Sequence, residues 1–314
     1  MQRRAEMLPV DYFHIVFTLP DALNEVCLHH PGKLYKLLFK SAWETMQEFA
    51  NDHKHLGAKT GMIAVLHTWG QNLQLHPHVH CLVPGGGLTQ QGKWRNAKAN
   101  GKYLFPVKAM SKVFRGKFCD GLIELETSGE IKLEAPFDPE KKYLHPLYKT
   151  RWVVFAKRPV QHGEKTLEYL GRYVHKVAIG NSRIQQVDDK NVTFSWFDYR
   201  TSKPGTLTLD GQEFVRRWSM HVLPEGFVKV RHYGVCSNRI KMKVRELVYA
   251  DLGQTPLEIR KGLSWVEVYM EVHGAHPKLC PECKSAVMVT VQLLPPIRDG
   301  PSVCSPINQH ALKI

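Results

Sequence analysis

The 314-residue sequence has no apolar run long enough to cross a bilayer. Its strongest candidate, YFHIVFTL at residues 12–19, contains a histidine and falls far short of the roughly 20 residues that a spanning helix needs. No charged, apolar, small-residue leader precedes it, so the expected location is cytoplasmic, with no membrane partner. Disulfide chemistry is also short of material. Cys27, Cys81, Cys119, Cys236 and Cys304 stand singly, and only Cys280 and Cys283 form a CxxC. They read as reduced thiols. CPECK, with His276 upstream and Cys304 downstream, is half of a zinc knuckle, which makes a structural Zn2+ at Cys280 and Cys283 a secondary expectation. No Walker motif is present, so no nucleotide cofactor is expected, and no internal repeat is visible. Acidic residues are scarce: 29 Asp and Glu face 43 Lys and Arg, a net charge of +14 spread along the chain. Such a field favours a polyanionic partner, nucleic acid first. Hydrophobic residues, at 43%, supply a sizeable core.

Periodicity gives the order of elements. A strand at Tyr12–Leu19 ends at Pro20, and a helix follows from about Leu34 to Ala50, with apolar residues three and four apart. Strands are expected at Met62–Thr68 and His78–Val83, the second closed by a PGGG turn. A glycine-punctuated excursion over 86–102 leads to a helix around Ala109–Phe118, a strand near Trp152–Ala156 and a helix from Lys165 to Ile179. Strand, helix, strand, strand, helix, strand is the order of a split βαβ unit. The fold class expected is therefore α+β, an antiparallel sheet with helices on one face. Residues 1–180 would form one domain, the one that carries the histidine and tyrosine motifs described below. Residues 181–314 would form an extension of strand-like runs (VTFSWFDY, GTLTLDG, FVKVRHYG) and a basic helix, KMKVRELVYADL. The stretches RTSKPG, RRWSMH and KVRHYG could line a single-strand channel, since aromatics among cations stack bases.

The stretch HPHVHCLVPGGG, residues 76–87, crowds three histidines into five positions. On a strand, alternate side chains share a face, so His78 and His80 point one way while Val79 and Cys81 point into the core. Pro77 donates no ladder hydrogen bond, which suits a strand start or an edge. Two imidazoles at this spacing form a bidentate pair for a metal ion. A third ligand is needed, and Gln71, His67 and His76 compete for the place, the first two just upstream in HTWGQ.

In GEKTLEYLGRYVHKVAIG, Tyr169 and Tyr173 are four residues apart, so they stack on one helix face. Leu167, Leu170, Val174, Val177 and Ala178 form a stripe elsewhere on that helix. The phenols lie roughly opposite it, flanked by Arg172 and Lys176, a surface suited to handling phosphate.

HVH on a strand and YxxxY on a later helix resemble the two-tyrosine HUH endonucleases. The runs LPVDYFHIVFTLP, LHTWGQNLQLHPHVHCLVPGGG, YLGRYVHKVAI and LPEGFVKVRHYG resemble the rolling-circle insertion-sequence transposases of that class, over nearly the whole chain. That family carries a cysteine-rich zinc segment ahead of the first run. Here only MQRRAEM precedes it, so the segment is expected to be lacking. The resemblance implies a transposase that nicks single-stranded DNA and transfers the strand through a 5′-phosphotyrosine on Tyr169 or Tyr173. It also implies Mg2+ or Mn2+ at the histidines, Mn2+ being better matched to imidazole. The help is needed, because a phenol with a pKa near 10 is only about 0.1% ionised at neutral pH. The alternatives are a zinc-dependent hydrolase using His76, His78 and His80, and a DNA-binding relic without turnover.

Overall fold

A computed structural model describes residues 6–98, 104–132, 144–160, 171, 174, 177–198, 201–258, 263–280 and 282–288. The chain divides into two compact units, Gln2–Ile259 and a second beginning at Arg260. The first is built on a five-stranded sheet, all of whose neighbouring strands are antiparallel. Its strands are β1 (Tyr12–Thr18), β2 (Gly61–Trp69), β3 (Leu75–Pro84), β6 (Val153–Val160) and β10 (Val230–Gly234), in the order β10-β2-β3-β1-β6. The class is α+β, as expected.

One face of this sheet is apolar by alternation. Phe13, Ile15 and Phe17 of β1, Val79, Cys81 and Val83 of β3, and Met62, Ala64 and Leu66 of β2 are all buried in one core. Two long helices cover that face. The first short helix, α1 (Asn24–His29), leads into α2 (Pro31–Asn51), which opens on Pro31, whose fixed φ and missing N–H suit a helix start. It buries Leu34, Leu38, Ala42, Thr45 and Phe49, one stripe at three and four spacing. The second, α3 (Val107–Thr127), buries Met110, Phe114, Phe118 and Leu122 at every fourth residue. It runs past the expected Phe118 because Gly121 lets it lie against α2. A Cβ there would stand 2.3 Å from Leu37 Cδ1. Each buried leucine or phenylalanine contributes roughly 1.5–3 kcal/mol relative to exposure.

The opposite face is divided. At one end α6 (Lys241–Asp251) packs Val244 and Val248 on Tyr12, Ile63 and Leu82. The other end carries the histidines. A short helix α4 (Leu144–Lys149) precedes β6. Beyond β6, the strands β7 (Ile184–Val187), β8 (Asn191–Asp198) and β9 (Lys203–Asp210) form a separate three-stranded sheet. It is followed by α5 (Gly211–Ser219), capped by the Asp210 side chain. Phe194 and Leu209 from this sheet share a small core with Leu73 and Ala178. The chain then returns to the first sheet as β10, so FVKVRHYG is part of the main fold.

Several local expectations are corrected. The PGGG run is not a turn: Pro84 ends β3, and Gly86 begins β4 (Gly86–Leu88), which pairs with β5 (Trp94–Asn96). These glycines answer to crowding rather than to φ. A Cβ on Gly86 would stand 2.4 Å from the Arg95 carbonyl oxygen, and one on Gly87 2.8 Å from that of Lys59. Pro77 lies inside a central strand rather than at a start or an edge, beside the register shift between His67 and Trp69, where a missing donor is tolerated. The helix expected to reach Ile179 stops sooner. Gly171 and Val174 are helical, whereas Val177–Gly180 are not, and Val177 is 60% exposed instead of lying on a core stripe. Of the basic stretches, Arg217 pairs with Glu213, and Arg231 lies over the rings of Phe39 and Phe227 on the helix-covered face.

In the second unit, α7 (Trp265–His273) starts with a capping box between Ser264 and Glu267 and ends at Gly274 in the left-handed region (φ 68°).

Candidate metal centre

The burial of β3 alternates along Leu75–His80, so His76, His78 and His80 share a face opposite Pro77, Val79 and Cys81. β2 lies beside it with His67 directly across from His78. One nitrogen each from His67, His78 and His80 lies within 4.8 Å of the others, the one metal-sized cluster of His, Cys, Asp or Glu among the described residues. His67 is 2% exposed and the other two are half-buried.

A hydrogen bond to a carbonyl sets the tautomer of His78. His78 Nδ1 lies 2.6 Å from the His76 carbonyl oxygen. A carbonyl only accepts, so Nδ1 carries the proton and Nε2 presents a lone pair. That Nε2 stands 3.1 Å from His80 Nε2. On its far side, His80 Nδ1 is 2.8 Å from His14 Nε2, with the two rings stacked at 5.0 Å. When His80 Nδ1–H donates to His14, both Nε2 lone pairs converge, and a proton or a cation must lie between them. Donation of the second ring N–H to a carbonyl or acceptor is how ligating histidines are oriented. Burial first, and the Lys157 ammonium second, hold the pKa of His14 down at about 4, so its ring is neutral and one of its nitrogens is free of a proton to accept. The donor set, three imidazoles with two oriented from behind, fits a divalent transition-type cation.

The flank of the site is aromatic and basic. His67 stacks on Trp69 at 4.6 Å and 17°, and the Lys229 ammonium sits 5.3 Å from the Trp69 ring centre. Burial lowers the pKa of Lys229.

The Gly70–Gln74 turn joining β2 to β3 is held from outside the main sheet. Three consecutive carbonyls each accept a hydrogen bond: Gln71 from Arg183 Nη2, Asn72 from Arg217 Nη1 at 3.2 Å, and Leu73 from His221 Nε2 at 3.0 Å. His221 Nδ1 in turn accepts from the Thr68 hydroxyl at 3.2 Å. Leu73 is fully buried with φ 62°, a conformation a leucine keeps only when its surroundings impose it.

Of the residues singled out in the sequence, the structure brings His67, His78 and His80 together. His76 stands apart from the three-nitrogen cluster, its ring directed to Asp21 at 3.7 Å and its carbonyl serving His78. For Gln71 the contact seen is that of its carbonyl with Arg183. Tyr169, Tyr173, Arg172 and Lys176 lie outside the described residues. Cys280 and Cys283 sit in a tight loop closed by a Leu279–Val287 bridge and by the Cys280 N–H donating to the Ala286 carbonyl at 2.8 Å. Hydrogen bonds from the Ser285 hydroxyl, then from the N–H groups of Ser285 and Ala286, bring the Cys283 thiol down to about 6. Among the described residues no third ligand joins this pair. His14 was missed. Its signal was a lone histidine inside the apolar run YFHIVFTL, at a parity facing away from Phe13 and Ile15.

An antiparallel sheet that presents His-x-His from its central strand is the architecture of HUH-type proteins. Residues 61–243 match the family model described as "Putative transposase", the two-tyrosine class, and the chain belongs to that transposase family. It is 39% identical to "Putative transposase y4qJ" of Sinorhizobium fredii (strain NBRC 101917 / NGR234), over 96% of this chain and 78% of that protein. It is 28% identical to "Transposase for insertion sequence element IS801" of Pseudomonas savastanoi pv. phaseolicola, over 77% of this chain and 60% of that one. No helix among the described residues is long and apolar enough to cross a membrane.

Proposed function

We propose that this protein nicks single-stranded DNA and transfers the strand through a 5′-phosphotyrosine. The observation that carries the reading is the convergence of three imidazoles, one with its tautomer fixed by a carbonyl and one backed by a further histidine, on one point of a family-typical sheet. His67, His78 and His80 would hold a divalent ion, Mn2+ or Mg2+, with His14 and the His76 carbonyl orienting two of them. When bound, the ion supplies positive charge to a nonbridging oxygen of the scissile phosphate. Gln71 remains the alternative third ligand.

The phenol oxygen of Tyr169 or Tyr173 attacks phosphorus after losing its proton. The bond from phosphorus to the 3′ oxygen breaks, and that oxygen takes up a proton as a free 3′-OH. Attack by a 3′-OH on the phosphotyrosine reverses the chemistry and rejoins the strand, so no nucleotide triphosphate is consumed. The second tyrosine permits a second transfer before the first is released. Arg172 and Lys176, flanking the phenols in sequence, would bind phosphate. We assign residues 1–180 the chemistry and 181–314 the supporting DNA contacts.

The test is incubation with labelled single-stranded DNA and Mn2+, read as a covalent shift on a denaturing gel. Tyr169→Phe and Tyr173→Phe together are expected to abolish the adduct. His78→Ala or His80→Ala is expected to lose cleavage while keeping most DNA affinity, since backbone phosphate contacts dominate binding. Three imidazoles also suit zinc. DNA hydrolysis surviving the double tyrosine variant would favour a zinc hydrolase, and binding without cleavage in Mn2+ a relic.

A further inference from the structure

On the open face of the sheet, register fixes what stands beside the histidines. Val16 of β1 pairs with His80 on one side and with Phe155 of β6 on the other. Thr18 pairs likewise with His78 and Val153. Directly paired residues share a face, so Phe155 and Val153 continue the histidine rows to the edge of the sheet. Two strand spacings separate Phe155 from His80, about 10 Å along the hydrogen-bonding direction. The alternate residues confirm the direction: Trp152 and Val154 are buried in the core under the helices.

Phe155 is 53% exposed and Val153 45% exposed. Among the described residues Phe155 is the one phenylalanine that is exposed rather than buried or half-buried. An apolar pair on an edge strand is a liability that proteins ordinarily blunt. Here it adjoins the metal centre, and the next residue on that face is the exposed Lys157, two positions along, across from His14. A flat ring, an aliphatic neighbour and a cation in one line match a nucleotide: a base on the ring and a phosphate near the ammonium.

We infer that Phe155, with Val153 beside it, is a stacking platform for an unpaired base flanking the phosphate at the histidine centre. This rests on the DNA-processing reading above and adds a specific contact to it. The interaction is sequence-tolerant, since every base has a π face, and it selects single-stranded over paired DNA because a paired base is already stacked.

The experiment compares two labelled oligonucleotides of equal length, oligo-dT and a strand of abasic residues throughout, which share phosphates and differ in bases. Affinities are measured by fluorescence anisotropy in EDTA, so that no cleavage is required. The wild type is expected to prefer the base-bearing strand. Phe155→Ala is expected to weaken oligo-dT binding about 5- to 150-fold, the span that 1–3 kcal/mol per stacked base represents, while leaving the abasic strand unaffected. Phe155→Trp is expected to retain the preference and Phe155→Leu to lose it, which separates a π face from apolar volume. An unchanged preference in Phe155→Ala, or no preference in the wild type, overturns the inference. Adduct formation by the wild type in Mn2+, run in parallel, tests the nicking reading separately. If Phe155→Ala instead alters the oligomeric state at unchanged DNA affinity, the strip is a protein contact and the inference falls.

Discussion

Replacing His14 tests whether the second ring behind His80 matters to the metal. His14→Leu keeps a buried side chain of similar bulk in β1 and removes the acceptor 2.8 Å from His80 Nδ1. Two effects follow. The net worth of one neutral hydrogen bond is about 0.5–1.5 kcal/mol, and an orphaned partner costs about 1–3 kcal/mol, both of which act on folding. Loss of the orienting bond acts on the ion, where removal of such partners typically lowers affinity 10- to 100-fold, or about 1.4–2.8 kcal/mol. Titration of Mn2+ into the folded protein by calorimetry should show a loss in that range. Urea denaturation in EDTA measures the folding effect by itself. His14→Gln restores an acceptor and should recover part of the affinity. In a His80→Gln background His14→Leu should have no further effect on the ion, because the bond it supports is gone. Wild-type Mn2+ affinity in His14→Leu, or additive losses in the double variant, would refute the orienting role.

Leu73→Ala should cost about 2–5 kcal/mol in urea denaturation, since the side chain is fully buried. Leu73→Gly should be no worse than Leu73→Ala despite removing one more carbon, because release from a left-handed φ returns about 1–2 kcal/mol. A markedly less stable glycine variant would show that the turn is unstrained. For His221, burial lowers the imidazole pKa below its ordinary value. The neutral form is the one that holds Thr68 and Leu73, so its stabilisation is complete above about pH 6.5 and declines as pH falls through the folded value. His221→Gln should therefore flatten the acid side of the stability profile measured by chemical denaturation. A slope identical to that of the wild type would discount the contribution.

Much of the sheet was legible because its strands alternate cleanly. YFHIVFT and HVHCLV each declare a core face and another face, and the apolar spacing of α2 and α3 reports the helices that cover the core. His78 and His80 followed from parity alone. His67 could be one candidate among three but not the choice, because cross-strand register depends on the bulge before Trp69, and no local pattern encodes that. His14 was invisible for a related reason: its importance comes from a neighbour 66 positions away. The glycines of PGGG misled because glycine serves close backbone approach as readily as it serves turns. That Val177–Gly180 are not helical was unreadable too, since Ala178 packs against Leu73 and Phe194, partners far off in the chain.

The place of β10 in the sheet bears on how the chain is made. β2 has β3 on one side, but its other edge is closed by Val230–Gly234, which follow the whole three-stranded sheet in sequence. At a synthesis rate of roughly 5–20 residues per second, the nascent polypeptide would carry an open row of N–H and C=O groups on β2 for on the order of ten seconds or more. During that interval the strand that supplies His67 has a free template edge, the kind of surface that recruits a chaperone or a second nascent chain. A ribosome stalled before residue 230 would thus release a product with its histidines translated and its sheet unclosed.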